Sequence, residues 1–149
     1  MDDDYVRLSR LIRSRADEVG PGCSTEELDV VRGAFPALPA EYVAYLTDFG
    51  WFAVSSREVM GFGANVPARF DVIQIVTWER QQAYPPMSPA LLPLENNGAG
   101  DHYCLDLSAP TNPVVFWSHD DRQGPDQMPP VVAATFVAWA LDLFESHAP

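Results

Sequence analysis

The sequence predicts an α+β domain: N-terminal helices and one C-terminal helix packed against a mostly antiparallel sheet. Three observations lead there. Residues 3–50 carry apolar side chains at helical spacing, interrupted by Gly and Pro. Residues 91–121 are short apolar runs separated by clusters of Asn, Gly, Asp and Pro. After Thr135 the helical period returns. Helices and strands that segregate along a chain, rather than alternating, pack as an antiparallel sheet covered by helices.

The elements follow in order. Over residues 3–19, Tyr5, Leu8, Leu11, Ile12, Ala16 and Val19 recur three and four apart, which predicts an amphipathic helix ended by Gly20-Pro21-Gly22. A second helix starts at Ser24, with Glu27 three residues on as a capping box, and buries Leu28 and Val31. Pro39 suits the first turn of a third helix, where a missing N–H costs nothing. Tyr42, Tyr45, Leu46 and Phe49 form its apolar face, and Gly50 stands at its C-terminal cap. Trp51–Val54 reads as a strand, and Ser55–Gly63 as a turn leading to a strand near Val59–Phe62. Residues 71–84 fit strand or helix. The apolar spacing of Val72, Ile75 and Val76 favours helix, while the β-branched start argues the other way. Within 91–121 the runs around HYCLDL and PVVFWS belong to three strands, with Glu95–Asp101 and Ser108–Pro113 as turns. Val131-Val132 suggests one more short strand, and Thr135 caps a helix with Phe136, Trp139, Ala140, Leu143 and Phe144 inward. With no repeat and no dividing linker, residues 1–149 read as one domain.

Charge excludes several functions. Twenty-one carboxylates face nine Arg and no Lys, for a net charge of −12. Such a field repels nucleic acid and anionic lipid and attracts a basic partner, although acidity also serves solubility alone. Cys23 and Cys104 match no zinc or CxxC spacing, so free thiols in a reducing compartment are expected. The N-terminus lacks the apolar core of a signal peptide, and no apolar run reaches membrane-spanning length. The expected location is the cytoplasm.

The polar residues of 91–121 raise the question of catalysis. Cys104 as nucleophile, with His102 or His119 as base and an Asp as orienter, would be an enzyme. Against this, Cys104 stands mid-strand, away from any helix N-terminus or Arg that would lower its pKa. His102, Cys104, His119 and Asp120 are metal-ligand types without a metal-site spacing. No catalytic residue, metal or cofactor is therefore expected. Trp117 and Trp139 read as core, whereas Trp51, just past the glycine cap, reads as partly exposed.

Three segments in register resemble the SUKH superfamily, specifically its Smi/Knr-like domain. Leu38-Pro39-Ala40-Glu41-Tyr42, with Tyr45-Leu46 and Phe49-Gly50, is similar to the family's LPxxYxxFLxxxNG helix. Leu92-Pro93-Leu94 followed by Gly98 to Asp106 is similar to its strand, glycine turn and GDxYxLD strand. Pro113 to Asp120 resembles its next strand, with Phe136 opening the terminal helix. The likeness spans roughly residues 24–146 and departs where the family's Asn-Gly is replaced by Phe49-Gly50. It implies an α+β fold and, for bacterial members, an immunity protein that neutralises a cognate protein toxin, a basic nuclease being one candidate. Fungal members imply an alternative, a regulatory interaction scaffold. Neither role implies a catalytic centre. The expected partner-binding residues are Asp48, Trp51, Glu95, Asp101, Asp106, Asp120 and Asp121.

Overall fold

A computed structural model describes residues 3–83, 86–119 and 129–145. The chain runs α1 (Asp3–Arg15), β1 (Glu18–Val19), α2 (Thr25–Ala34), α3 (Ala40–Asp48), β2 (Phe52–Val54) and β3 (Arg57–Val59). A 3₁₀ turn at Ala68–Phe70 leads to α4 (Val72–Gln81). Then come β4 (Leu91–Asn96), β5 (His102–Asp106), β6 (Val114–Trp117), β7 (Val131–Ala133) and α5 (Phe136–Glu145). The fold is α+β, and within residues 71–84 the helix is Val72–Gln81, with Asp71 capping the backbone N–H groups of Ile73 and Gln74 and Tyr84 outside the described residues.

Two expectations need correction. The first helix stops at Arg15, and Glu18–Val19 is a strand because it pairs antiparallel with Ala53 and Phe52. Only that distant partner makes these two residues a strand, and Val19 faces solvent instead of the core. The strands are antiparallel, as expected, and form two sheets ordered β1-β2-β3 and β4-β5-β6-β7. The expected strand near Val59–Phe62 lies earlier, because Ser55 and Ser56 make a two-residue turn with φ of 49° and 66° that pairs Val54 with Arg57. Positive φ at both central residues is the hairpin geometry that matches strand twist.

The two sheets meet where Met60 donates its N–H to the Leu94 carbonyl at 2.8 Å. This contact lies beside the junction of α3 with the first sheet. Gly50 follows the end of α3 at φ +83°, where L side chains are strained. A Cβ on Gly61 would fall 1.5 Å from the Gly50 carbonyl oxygen, so the two backbones touch directly. The Gly61-Phe62-Gly63 run is therefore a packing device.

Aromatic side chains fill the core. Phe136 at the start of α5 lies edge-on to Tyr42, 5.3 Å between centroids, and 5.1 Å from Tyr45. The Tyr45 hydroxyl, wholly buried, donates to the Met60 carbonyl at 3.0 Å. Such buried rings account for much of the core's burial; the Tyr42 hydroxyl, unlike that of Tyr45, is buried with no hydrogen-bond partner among the described residues. Alternate residues of β5 then face opposite ways. His102 meets α4 through Glu79. Tyr103 meets α5 through Trp139, 5.9 Å between ring centroids. Helices thus cover both faces of the four-stranded sheet, with α4 on one and α5 on the other.

Candidate interaction surface

The expected contact residues occupy different settings. Asp48, at the exposed end of α3, accepts the Tyr5 hydroxyl at 2.5 Å and ties α1 to α3. Burial, then the Asp48 hydrogen bond, push the Tyr5 hydroxyl well up in pKa. Trp51 is half-buried, stacked on Phe70 at 4.6 Å. Its indole nitrogen is buried, packed where a side chain on Gly20 would have to go. That indole serves the junction of β1 with β2 and presents only part of its ring to solvent.

Glu95 and Asp106 are both buried against groups of their own chain. Glu95 is 4 % exposed and holds Arg57 through two 2.6 Å hydrogen bonds. Its buried carboxylate is the charge partner of β3, a role set by a residue far away in sequence. Asp106, 6 % exposed, accepts the Ser108 backbone N–H at 3.0 Å and its hydroxyl at 2.6 Å, closing the turn after β5. Asp101 is partly exposed and accepts both the backbone N–H and Nδ1 of His119, at 3.0 and 2.7 Å. Desolvation would raise the Asp101 pKa, but the His119 and Asn97 hydrogen bonds outweigh it and hold the carboxyl below its ordinary value. Asp101 and Asp106 flank opposite ends of β5, roughly 17 Å apart at strand rise, so they do not share one patch. Asp120 and Asp121 lie outside the described residues.

Of the residues raised for catalysis, Cys104 and His102 are packed inward, whereas the His119 side chain is 40 % exposed. Cys104 is fully buried, and burial with the nearby Glu79 carboxylate pushes its thiol well above the ordinary pKa. Cys23 is half-buried, its thiol pushed up to about 11 by desolvation and by Glu27. A thiol held protonated is a poor nucleophile. His102 is 1 % exposed and sets Nε2 3.1 Å from Glu79, while its Nδ1 is buried without a hydrogen bond. Among the described residues, no three His, Cys, Asp or Glu side chains converge to hold a metal ion. No helix among them is long and apolar enough to cross a membrane.

What the sequence reading missed is a cleft on the α5 face of the sheet, lined by Arg57, Tyr103, Val132, Trp139, Asp142 and Leu143. Four elements contribute to it, so no local motif announces it. The signal that could have found it is the uncharged Val131–Ala134 run beside a predicted strand edge. A second feature is Trp78 on α4, 56 % exposed and flanked on the outer helix face by Gln74, Thr77 and Gln81.

Comparison with known proteins fits this architecture. No curated protein matches the chain. The family model SUKH_5, described as SMI1-KNR4 cell-wall, matches residues 36–145, from just before α3 to the last residue of α5. That match covers most of the sequence and all of the four-stranded sheet, and on it the chain belongs to the SUKH family.

Proposed function

We propose that this protein is an immunity protein: it binds a cognate protein toxin and blocks it, in the cytoplasm, by occlusion and without a catalytic step, metal or cofactor. The observation that carries the reading is the unbalanced negative field. Of the nine Arg, Arg7, Arg32, Arg57 and Arg69 sit on carboxylates of the same chain. Arg13 and Arg80 are held by Ser9 and by the carbonyls of Ala34 and Pro89. Six of the nine cations are thus tied down locally, and the net charge a partner meets is the surplus of acids. Family membership supports the same reading, because toxin-binding immunity proteins are among what the resemblance implies.

A basic toxin, such as a nuclease with a cationic phosphate-binding surface, fits that field. Long-range attraction would speed encounter and favour such partners, while affinity would come from a packed centre. The inward-facing Cys104 and His102 support binding over hydrolysis. The "cell-wall" description of the matched family favours one second reading, a regulatory scaffold without a toxin.

Co-expression separates the two. Cells producing the toxin encoded beside this gene should survive when this protein is made, and the two proteins should copurify. Association should slow as salt rises toward 1 M, where screening shortens to about 3 Å. A neighbouring gene product that is not toxic, or a toxin that neither binds nor is neutralised at low salt, contradicts the immunity reading.

A further inference from the structure

The strand β7 ends its sheet, and its outer edge has no strand beside it among the described residues. Val131 and Val132 are 63 % and 47 % exposed. The run Val131-Val132-Ala133-Ala134 carries no charge, in a chain where 20 % of residues are charged. Soluble proteins blunt such edges with Lys, with inward-pointing charges or with a covering element. Here Pro129-Pro130 limit the edge at one end, and no described strand pairs with the outer side of Val131–Ala133.

Beside this edge lies the open cleft, about 200 Å³ in volume. That is smaller than the roughly 300–1,000 Å³ of small-molecule sites, and it suits one long side chain better than a cofactor. Tyr103 and Trp139 form an aromatic floor, with Arg57 6.0 Å above the Tyr103 ring. The Arg57 charge is already balanced by Glu95. Asp142, exposed on α5, is the carboxylate in the lining. The Tyr103 face already carries Arg57 and Trp139 is 5 % exposed, so the cleft offers an incoming side chain packing for its apolar stem.

We propose that β7 and this cleft dock an extended segment of a basic partner protein. The segment adds as a strand to Val131–Ala133 and packs the stem of one long side chain into the cleft beside Val132 and Leu143. Strand addition draws affinity from backbone hydrogen bonds and specificity from side-chain pockets, and this edge supplies both. A second copy of the chain is the less favoured occupant, because it would bring another net −12 to the same edge. The choice of a basic protein as occupant rests on the toxin-binding reading; the open edge and the cleft do not.

The test uses the full chain and two blocked pentapeptides, Arg-Val-Arg-Val-Arg and its Glu counterpart, titrated at millimolar concentration and followed by amide and indole NMR. The basic peptide should shift the amides of Val131–Ala133 and the Trp139 indole, and the acidic one should not. Val132→Lys and Asp142→Lys should each weaken the basic peptide, and the neighbouring toxin, by roughly 30-fold. Gln74→Lys adds the same charge on α4, on the other face of the sheet, and should change binding less than about threefold. No shifts, equal shifts with both peptides, or shifts centred elsewhere overturn the proposal. So does self-association of the chain that Val132→Lys abolishes, because the occupant is then a second copy. If the basic peptide docks at β7 and the toxin does not bind, the docking site stands and the toxin reading falls. If the toxin binds wild type and Val132→Lys alike, the toxin reading stands and this site falls.

Discussion

The two edges of the four-stranded sheet are built in opposite ways. At one edge, Leu91 to Glu95 of β4 are all buried, the Leu94 carbonyl receives the Met60 N–H, and Glu95 closes a bidentate bond to Arg57. At the other, β7 shows two exposed valines and no flanking strand among the described residues. An edge is a template for further pairing wherever its backbone is uncovered. Among the described residues, the first sheet answers that problem at β4, and no strand answers it at β7. The lesson is that β4 is closed by its own chain, whereas β7 carries its exposed valines at the rim.

The difference can be broken by mutation. Leu94→Ala, at a position with no exposure, should lower unfolding stability by about 3 kcal/mol, whereas Val132→Ala should change it by no more than about 0.5 kcal/mol. Denaturant titration of both variants reads this directly; similar losses at the two edges would erase the contrast. Glu95→Ala removes the charge partner of a half-buried guanidinium, and about 3 kcal/mol of stability should go with it. Arg57→Met with Glu95→Met, replacing both partners, should recover much of that loss, because the cost lies in leaving one charge unpaired.

Much of this was legible in the sequence where the cause is local. The Ser24–Glu27 capping box is present as read: Glu27 N–H donates to the Ser24 hydroxyl, and the Glu27 carboxylate accepts the Ser24 N–H. Pro39 and Gly50 bracket α3 for the reasons of backbone geometry that predict it. Trp117 and Trp139 are buried, as their positions in apolar runs imply. What was not legible depends on distant partners. Glu18–Val19 is a strand only opposite Phe52–Ala53. Glu95 looked like a free acid in a turn because Arg57, its partner, lies 38 residues earlier. The cleft at Trp139 is assembled from β3, β5, β7 and α5, and no window of sequence contains it.

Smaller effects sharpen the contrast between the sheets. The β2–β3 turn holds Ser55 and Ser56 at positive φ, a conformation that costs an L-residue roughly 1–2 kcal/mol. Ser56→Gly should therefore raise the first sheet's stability by about 1 kcal/mol, seen as a higher denaturation midpoint with unchanged slope. No change would mean that the turn is relaxed. At the β4–β5 turn, Asp101 has a lowered pKa when folded. Its stabilisation is therefore present above the ordinary carboxylate range and is lost as pH falls through the lower folded value. Asp101→Asn should be less stable than wild type at neutral pH, with the gap closing on acidification. A gap independent of pH would place its cause outside the His119 bond.

The proposal that joins these observations is that this SUKH domain meets a partner through the β7 edge. Hydrogen exchange of the full chain, alone and with the product of the neighbouring gene, tests that proposal most directly. The account predicts added protection at Val131–Ala133 and around Trp139, with the amides of β4 unchanged. Protection confined to α4 around Trp78, or none at β7 in a complex that demonstrably forms, would contradict it.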